Sequence, residues 1–472
     1  MAPVVYPRQR CRIGVVGVGP LVGLPHARLV VKQDNAELVC VCDIDTSAAT
    51  EELGVKAYSN PQHMMEAECL DGVIIATPTH FHLPVFLELL KGEASRSSQF
   101  LRAILVEKPI CESVEAAEAL MEAAATAQVR VLVGHQRRHS PFAQMARRLV
   151  RSPGFGALRG ITGEWALLKP ASYFDCSTNP RRAYVSQVGT GGPILINLIH
   201  DVDLLRFITG REVTRVFAVA SSAGRDSGQP AQVEDTAAVA LTLDDGAVGT
   251  FFLSDASPSP WNYEFTAREN AKYPPLPEAC THEDCYRFLG AKQALSFPSL
   301  RLFGYDRVSN PSASNPSASN PPASQPVSQP ASQPASHPLR AATSGSTPHD
   351  SLPYADEPGW DQRLQMSSES VEADDPLRLQ MEHFVRVCQG EEEPLCTGHD
   401  GLQALRIILA VGRSAAAQRP VCPADVVSAP SPAKVSMSPA EVSSSLALAP
   451  TTVAKVSGAG GSLMRGRVCS KL

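Results

Sequence analysis

Three groups of residues in the 472-residue chain have types and spacings that could do chemistry. The first is Val106-Glu107-Lys108-Pro109, an acid and a lysine held beside a proline where an apolar run ends. A lysine there could stabilise a developing oxyanion, or the two charges could be a solvated pair at a strand exit. The second is I-L-I-N-L-I-H-D-V-D-L-L at residues 194–205, where Asn197, His200 and Asp203 recur every three positions and share a helix face. A histidine suits general acid/base work near neutral pH, although a lone histidine on an apolar helix is more often a satisfied core residue. The third is R-I-G-V-V-G-V-G-P-L-V-G at residues 12–23. Gly17, Gly19 and Gly23 stand where a strand turns into a helix, and such glycines let backbone approach a pyrophosphate lying on the helix N-terminus. The third glycine falls one place later than in G-x-G-x-x-G, because Val22 occupies that position. Asp43 ends the next apolar run, twenty-four residues after Gly19. A carboxylate there accepts both ribose hydroxyls and repels a 2′-phosphate, which selects NAD over NADP.

These groups need a scaffold that brings strand ends together. Residues 12–16, 38–42, 72–76, 104–106 and 129–133 are short apolar runs, separated by stretches such as 21–32, 83–90 and 111–125 with 3.6-residue spacing. That alternation predicts a parallel sheet covered on both faces. After about residue 150 the pattern changes. Runs at 158–168, 213–220, 237–243, 248–253, 294–297 and 300–303 include a hairpin signal, Asp244-Asp245-Gly246. The fold class is therefore α/β: an N-terminal Rossmann-type doubly wound parallel sheet and a C-terminal α+β domain with a mostly antiparallel open sheet. The domains are expected at 1–133 and 134–427, with helical patterns at 376–388 and 401–418 packing back on the body. Residues 309–350 repeat Pro, Ser, Ala, Asn and Gln and are expected to be a disordered insertion. Residues 428–472 are expected to be a flexible tail.

Composition excludes several classes. The net charge of −6 and the absence of a basic helix give no footprint for nucleic acid. No apolar run reaches spanning length, and the N-terminus is too polar for a signal peptide, so no membrane partner is expected. The twelve cysteines fit no disulfide framework. Cys280, His282 and Cys285 lack the fourth ligand of structural zinc, and no metal is expected. The chain ends Ser470-Lys471-Leu472, the form read by the peroxisomal import receptor, which points to the peroxisome and otherwise to the cytoplasm.

Four separated segments together resemble the glucose–fructose oxidoreductase / inositol dehydrogenase / MocA-like (Gfo/Idh/MocA) family. They are the glycine loop with Asp43, A-T-P-T-H-F-H at 76–82, V-E-K-P-I at 106–110 and G-G-P-I-L-I-N-L-I-H-D-V-D at 191–203. The hairpin and P-S-P-W at 258–261 add to the resemblance, which covers about residues 10–305 and 375–422. It implies an NAD-dependent oxidoreductase interconverting a secondary alcohol and a ketone on a sugar, polyol or related small molecule. Lys108 would stabilise the alkoxide, His200 would act as general acid/base, and Glu107 would hold the lysine. Thr77, Pro78, His82, Glu107 and Lys108 would line the cofactor near the nicotinamide and its ribose, with His82 equally suited to capping the helix that follows. The resemblance makes Arg137, Lys169 and Asn197 candidates for substrate, with Gln136 and Tyr173 behind them, while Arg138 and His139 are expected to be solvated. It also implies a homo-oligomer formed on the open face of the second sheet. One position departs from the family: relatives resembling inositol dehydrogenase carry an aspartate four residues before the histidine, where this chain has Ile196. Two other readings are an NAD-binding regulator or scaffold, and a reductase of a diol-derived carbonyl compound.

Overall fold

Val, Ile, Leu and Cys dominate the first five apolar runs, and side chains of that kind on both faces of a strand require cover on both sides. In the computed structural model, which describes residues 10–95, 100–174, 191–222, 233–269, 273–280, 283–305 and 363–426, they form the interior of a parallel sheet. Its strands are β1 (Cys11–Val16), β2 (Ala36–Cys42), β3 (Lys56–Tyr58), β4 (Gly72–Ile75), β5 (Ala103–Val106) and β6 (Arg130–Val133), in the order β3-β2-β1-β4-β5-β6. Between them run α1 (Gly23–Val31), α2 (Ser47–Leu53), α3 (Pro61–Ala67), α4 (His82–Ala94) and α5 (Val114–Ala127). The order reverses between β1 and β4, and a doubly wound sheet binds ligand in the crevice at that switch point.

After α6 (Pro141–Val150) the chain builds a second sheet from β7 (Leu158–Ala166), β8 (Val213–Ser221), β9 (Thr236–Leu243), β10 (Val248–Ser254), β11 (Tyr286–Gly290), β12 (Gln293–Phe297), β13 (Arg301–Tyr305) and β14 (Leu364–Ser368). Among the described residues its order is β14-β13-β12-β11-β7-β10-β9-β8, and the β7–β10 pair alone is parallel. The β9–β10 hairpin turns at Gly246, whose φ of 85° is the left-handed conformation such a turn demands. Helices α7 (Ala171–Phe174), α8 (Ile199–Thr209), α9 (Tyr263–Ala267), α10 (Pro376–Gln389) and α11 (Gly398–Ala417) complete the described chain.

The expected strands and helices are present to within a few residues, and β3, β11 and β14 are additional. The expected insertion at 309–350, the tail at 428–472, the terminal Ser470-Lys471-Leu472 and His282 lie outside the described residues. Among those described, no helix is long and apolar enough to cross a membrane.

The late helices bind the two sheets into one body. Met381, Phe384, Val385, Val387 and Cys388 of α10 share a core with Ile13, Val15, Ile74, Leu105 and Leu132 of the parallel sheet. Gly72 makes room for α10: a Cβ there would stand 2.5 Å from Cys388 Sγ and 3.0 Å from the Phe384 ring. Helix α11 packs on α5, α8 and β8, and starts at a reciprocal capping box between Thr397 and Asp400.

Candidate active site

Four strand ends surround the crevice. At the end of β1, Gly17 has φ 85°, and a Cβ on it would fall 2.6 Å from the backbone nitrogen of Thr77. A Cβ on Gly23 would fall 1.6 Å from the Gly17 carbonyl oxygen, so the displaced third glycine does the packing its position requires. Gly19 has no neighbour within 4 Å of where a Cβ would lie, which leaves space for a ligand against the backbone. No side chain caps α1 and its first turn carries no acid, so its positive dipole end faces the crevice unscreened. Asp43, at the end of β2, accepts from Val18 N at 2.7 Å and from Ile44 N at 2.7 Å, which fixes the carboxylate beside the glycine loop. Thr77 Oγ1 is buried with no hydrogen-bond partner. The open cradle at Gly19, the anchored acid and the orphaned hydroxyl all fit a dinucleotide.

At the end of β5, Glu107 Oε1 accepts from His26 Nε2 of α1 at 2.7 Å, and Oε2 accepts from Lys108 N at 3.1 Å. Burial alone would raise this carboxyl, but the His26 bond and the nearby Lys108 charge hold it below the usual range. Lys108 Nζ donates to the Ile196 carbonyl at 3.3 Å. The residue that replaces the family's aspartate therefore meets the lysine through its backbone. Burial lowers the Lys108 pKa, with Glu107 opposing and Arg137 assisting. The Lys108–Pro109 peptide is cis.

His200 enters from the second domain. Residues Ile194–Leu198 form one π-helical turn ahead of α8, a local widening that recurs at functional sites. The segment starts where Glu234 accepts from Ile194 N at 2.9 Å and crowds Gly192. Burial, and then the charges of Lys108 and Arg137, push His200 well below its usual pKa, so it stands neutral beside the lysine. Asn197, on the π turn, accepts from Lys169 Nζ at 2.7 Å. Lys169 also lies 3.7 Å from Asp255 and over the rings of Trp165 and Tyr173, at 5.3 and 5.4 Å. Lys108, His200, Asn197, Lys169 and Tyr173 thus gather at one place.

Several expected residues are held by other protein groups. Arg137 is buried, donating to Asp201 at 2.6 Å and to Glu264 at 2.9 Å, with its guanidinium 4.4 Å from the centre of the Tyr263 ring. Arg138 and His139 are buried rather than solvated, because the junction with α10 and α11 closes over them. Arg138 makes three bonds to Asp203 and one to the Leu395 carbonyl, and His139 packs on the His383 ring at 5.0 Å. Asp203 therefore faces the junction instead of sharing a surface with Asn197. His82 is turned inward, its ring nitrogens 3.1 Å from the Ile110 carbonyl and 2.9 Å from that of Thr77. It starts α4 and ties the Thr77 turn to the residues after Lys108, while Pro78 stays exposed.

Three neighbours had no signal in the sequence. His26 reaches Glu107 across 81 positions. Asp255 follows β10 beside Lys169. His135, after β6, is 1% exposed, with neither ring nitrogen hydrogen-bonded. Its ring lies 6.1 Å from that of His200, edge to face, and its Nδ1 is 3.8 Å from Asp203. Burial pushes it down to about 4.

Two family models match the chain: the oxidoreductase family with NAD-binding Rossmann fold over residues 11–135, and the GFO/IDH/MocA C-terminal domain over residues 143–269. The rhizopine catabolism protein MocA of Rhizobium meliloti is 31% identical over 258 residues, 53% of this chain and 73% of that protein. The inositol 2-dehydrogenase of Rubrobacter xylanophilus is 28% identical over 247 residues, 51% of this chain, and the match spans 64% of that protein's length. Among solved structures, the WlbA dehydrogenase of Bordetella pertussis, in complex with NADH and UDP-GlcNAcA, superposes with a TM-score of 0.59. That match covers 88% of this chain and 99% of the other at 20% identity, a likeness of fold.

Proposed function

Because the chain belongs to the GFO/IDH/MocA oxidoreductase family, we propose that it interconverts a secondary alcohol and a ketone on a sugar, a polyol or a related hydroxylated molecule. Bound NAD would supply the hydride acceptor or donor, held by Gly17, Gly19, Gly23, Asp43 and Thr77. The observation that supports the reading is the bond from Lys108 Nζ of one domain to the Ile196 carbonyl of the other, one turn ahead of His200.

In the oxidising direction a neutral imidazole of His200 takes the hydroxyl proton. Lys108 Nζ, now donating to the Ile196 carbonyl, turns its remaining protons on the oxygen as negative charge develops there. Asn197 and Lys169 orient neighbouring hydroxyls, with Asp255 balancing the charge of Lys169. Arg137 and Arg138 serve the site from below, pinning α8 through Asp201 and Asp203 so that His200 keeps its place. Relatives named as inositol dehydrogenases support the substrate class. Copies of the chain would associate through the open face of the second sheet, where exposed Phe217, Val219 and Phe252 line a groove of about 460 Å³.

The test is NAD reduction by purified protein over a panel of polyols, sugars, sugar acids and diols, with Lys108→Ala alongside. Turnover that falls at least a hundredfold in the variant supports the assignment. Turnover that survives the substitution removes Lys108 from the chemistry. Tight NADH binding with no turnover on the whole panel would favour a binding protein instead.

A further inference from the structure

We infer that His26 is a positioning residue that sets the charge and place of Lys108 by holding Glu107 from the cofactor helix; the inference rests on the assignment of Lys108 above. The Glu107 side chain is 14% exposed and confined on three sides. His26 Nε2 meets Oε1 at 2.7 Å, the Lys108 backbone nitrogen meets Oε2 at 3.1 Å, and Gly134 of the next strand exit lies so close that a Cβ would fall 2.8 Å from Oε1. His26 is 1% exposed, and its Nδ1 meets no hydrogen-bonding group. A ring with its proton on Nε2 satisfies this geometry, donating one charge-assisted bond to the carboxylate.

The arrangement gives α1 two tasks. Its first residues form the dinucleotide cradle, and one turn later the same helix secures the counter-ion of the lysine. Without the donor, Oε1 is left unpaired in a buried place, which favours taking up a proton. Lys108 then loses its nearest negative charge. Other groups act on this pair: His82 from α4 and His135 after β6 lie within electrostatic range of Glu107, and Arg137, Glu264 and His200 act with Glu107 on Lys108. None of them bonds to Glu107 Oε1 in place of His26.

The experiment is competitive acetylation of the full-length protein with acetic anhydride across pH, read by mass spectrometry on the Lys108 peptide with exposed Lys32 as internal reference. No substrate is required, so the result stands apart from the turnover panel: a protein that turns nothing over would still report the titration of Lys108. In His26→Phe the amine should become reactive about one pH unit lower, close to a tenfold gain in labelling on the rising limb. His26→Gln, which keeps a donor, should stay within about threefold of wild type on the same scale. Glu107→Gln should reproduce the shift with His26 intact, which keeps the test decisive if the phenylalanine variant does not fold. NADH affinity should change little in His26→Gln. An unmoved Lys108 titration in both His26→Phe and Glu107→Gln overturns the inference, as does a glutamine variant shifted as far as the phenylalanine one.

Discussion

His135 offers a measurable link between burial and pH. Its ring is almost wholly enclosed, and burial, outweighing the attraction of Asp203, lowers it to about 4. An unfolded histidine titrates near 6.5. Between those values the unfolded chain binds a proton that the folded chain refuses, so stability falls as pH drops through 6.5 toward 4. The difference of about 2.5 units corresponds to about 3 kcal/mol by pH 4, and to about 1.4 kcal/mol at pH 5.5. His135→Phe keeps a ring against His200 and removes the titration. Urea denaturation of wild type and variant at pH 7.5 and 5.5 should show the wild type losing about 1.4 kcal/mol more than the variant. At pH 7.5 the variant should be no less stable, because two unpaired nitrogens leave the interior. His139, lowered by burial to about 3, contributes the same slope to both proteins and cancels. Equal losses of stability in the two proteins would refute the argument, since His135 would then be titrating alike in both states.

Three further outcomes follow from the same geometry. Alcohol oxidation should stay on its plateau as pH falls through 6.5, where an ordinary histidine base is half protonated; burial and the Lys108 charge keep His200 neutral well below that point, and a kcat profile breaking at 6.5 would contradict this. Asp43→Asn should weaken NADH binding about tenfold and allow measurable NADPH binding, read by fluorescence titration, because the repulsion of a 2′-phosphate is gone. Phe384→Ala should cost about 3–5 kcal/mol in thermal or chemical denaturation, because a fully buried ring is lost from between α10 and the parallel sheet.

The parallel strands were legible because strands buried on both faces read as unbroken apolar runs. The glycine loop was legible because its backbone needs specific residues. Strand β14 was not: L-Q-M-S-S is exposed throughout and exists as a strand through its pairing with β13. Strand β3 is three residues long, and β11 alternates buried and exposed positions over a span too short to stand out. At the site, Lys108, His200 and Asn197 could be picked out because strand ends and a helix face organise them locally. His26, His135 and Asp255 could not, since each acquires its neighbour through folding over long separations. The pair Arg138 and His139 misled because charge suggests solvent, whereas α8, α10 and α11 supply Asp203, His383 and Asp400 as partners.

Helix α10 lies more than two hundred residues beyond the sheet it covers, and β14 likewise finishes a sheet begun at β7. The protein can therefore be cut into two complementary pieces. A fragment ending at Tyr305 would carry the first sheet and all of the second but β14, with the part of one apolar face that α10 covers laid bare, and a fragment starting at Arg363 would carry β14 and both late helices. Expressed together, the pieces should find each other through Phe384, Val385 and the gap at Gly72, and restore NADH binding only on association. Pieces that behaved this way would form a split reporter, in which cofactor capture reads out the meeting of two chains.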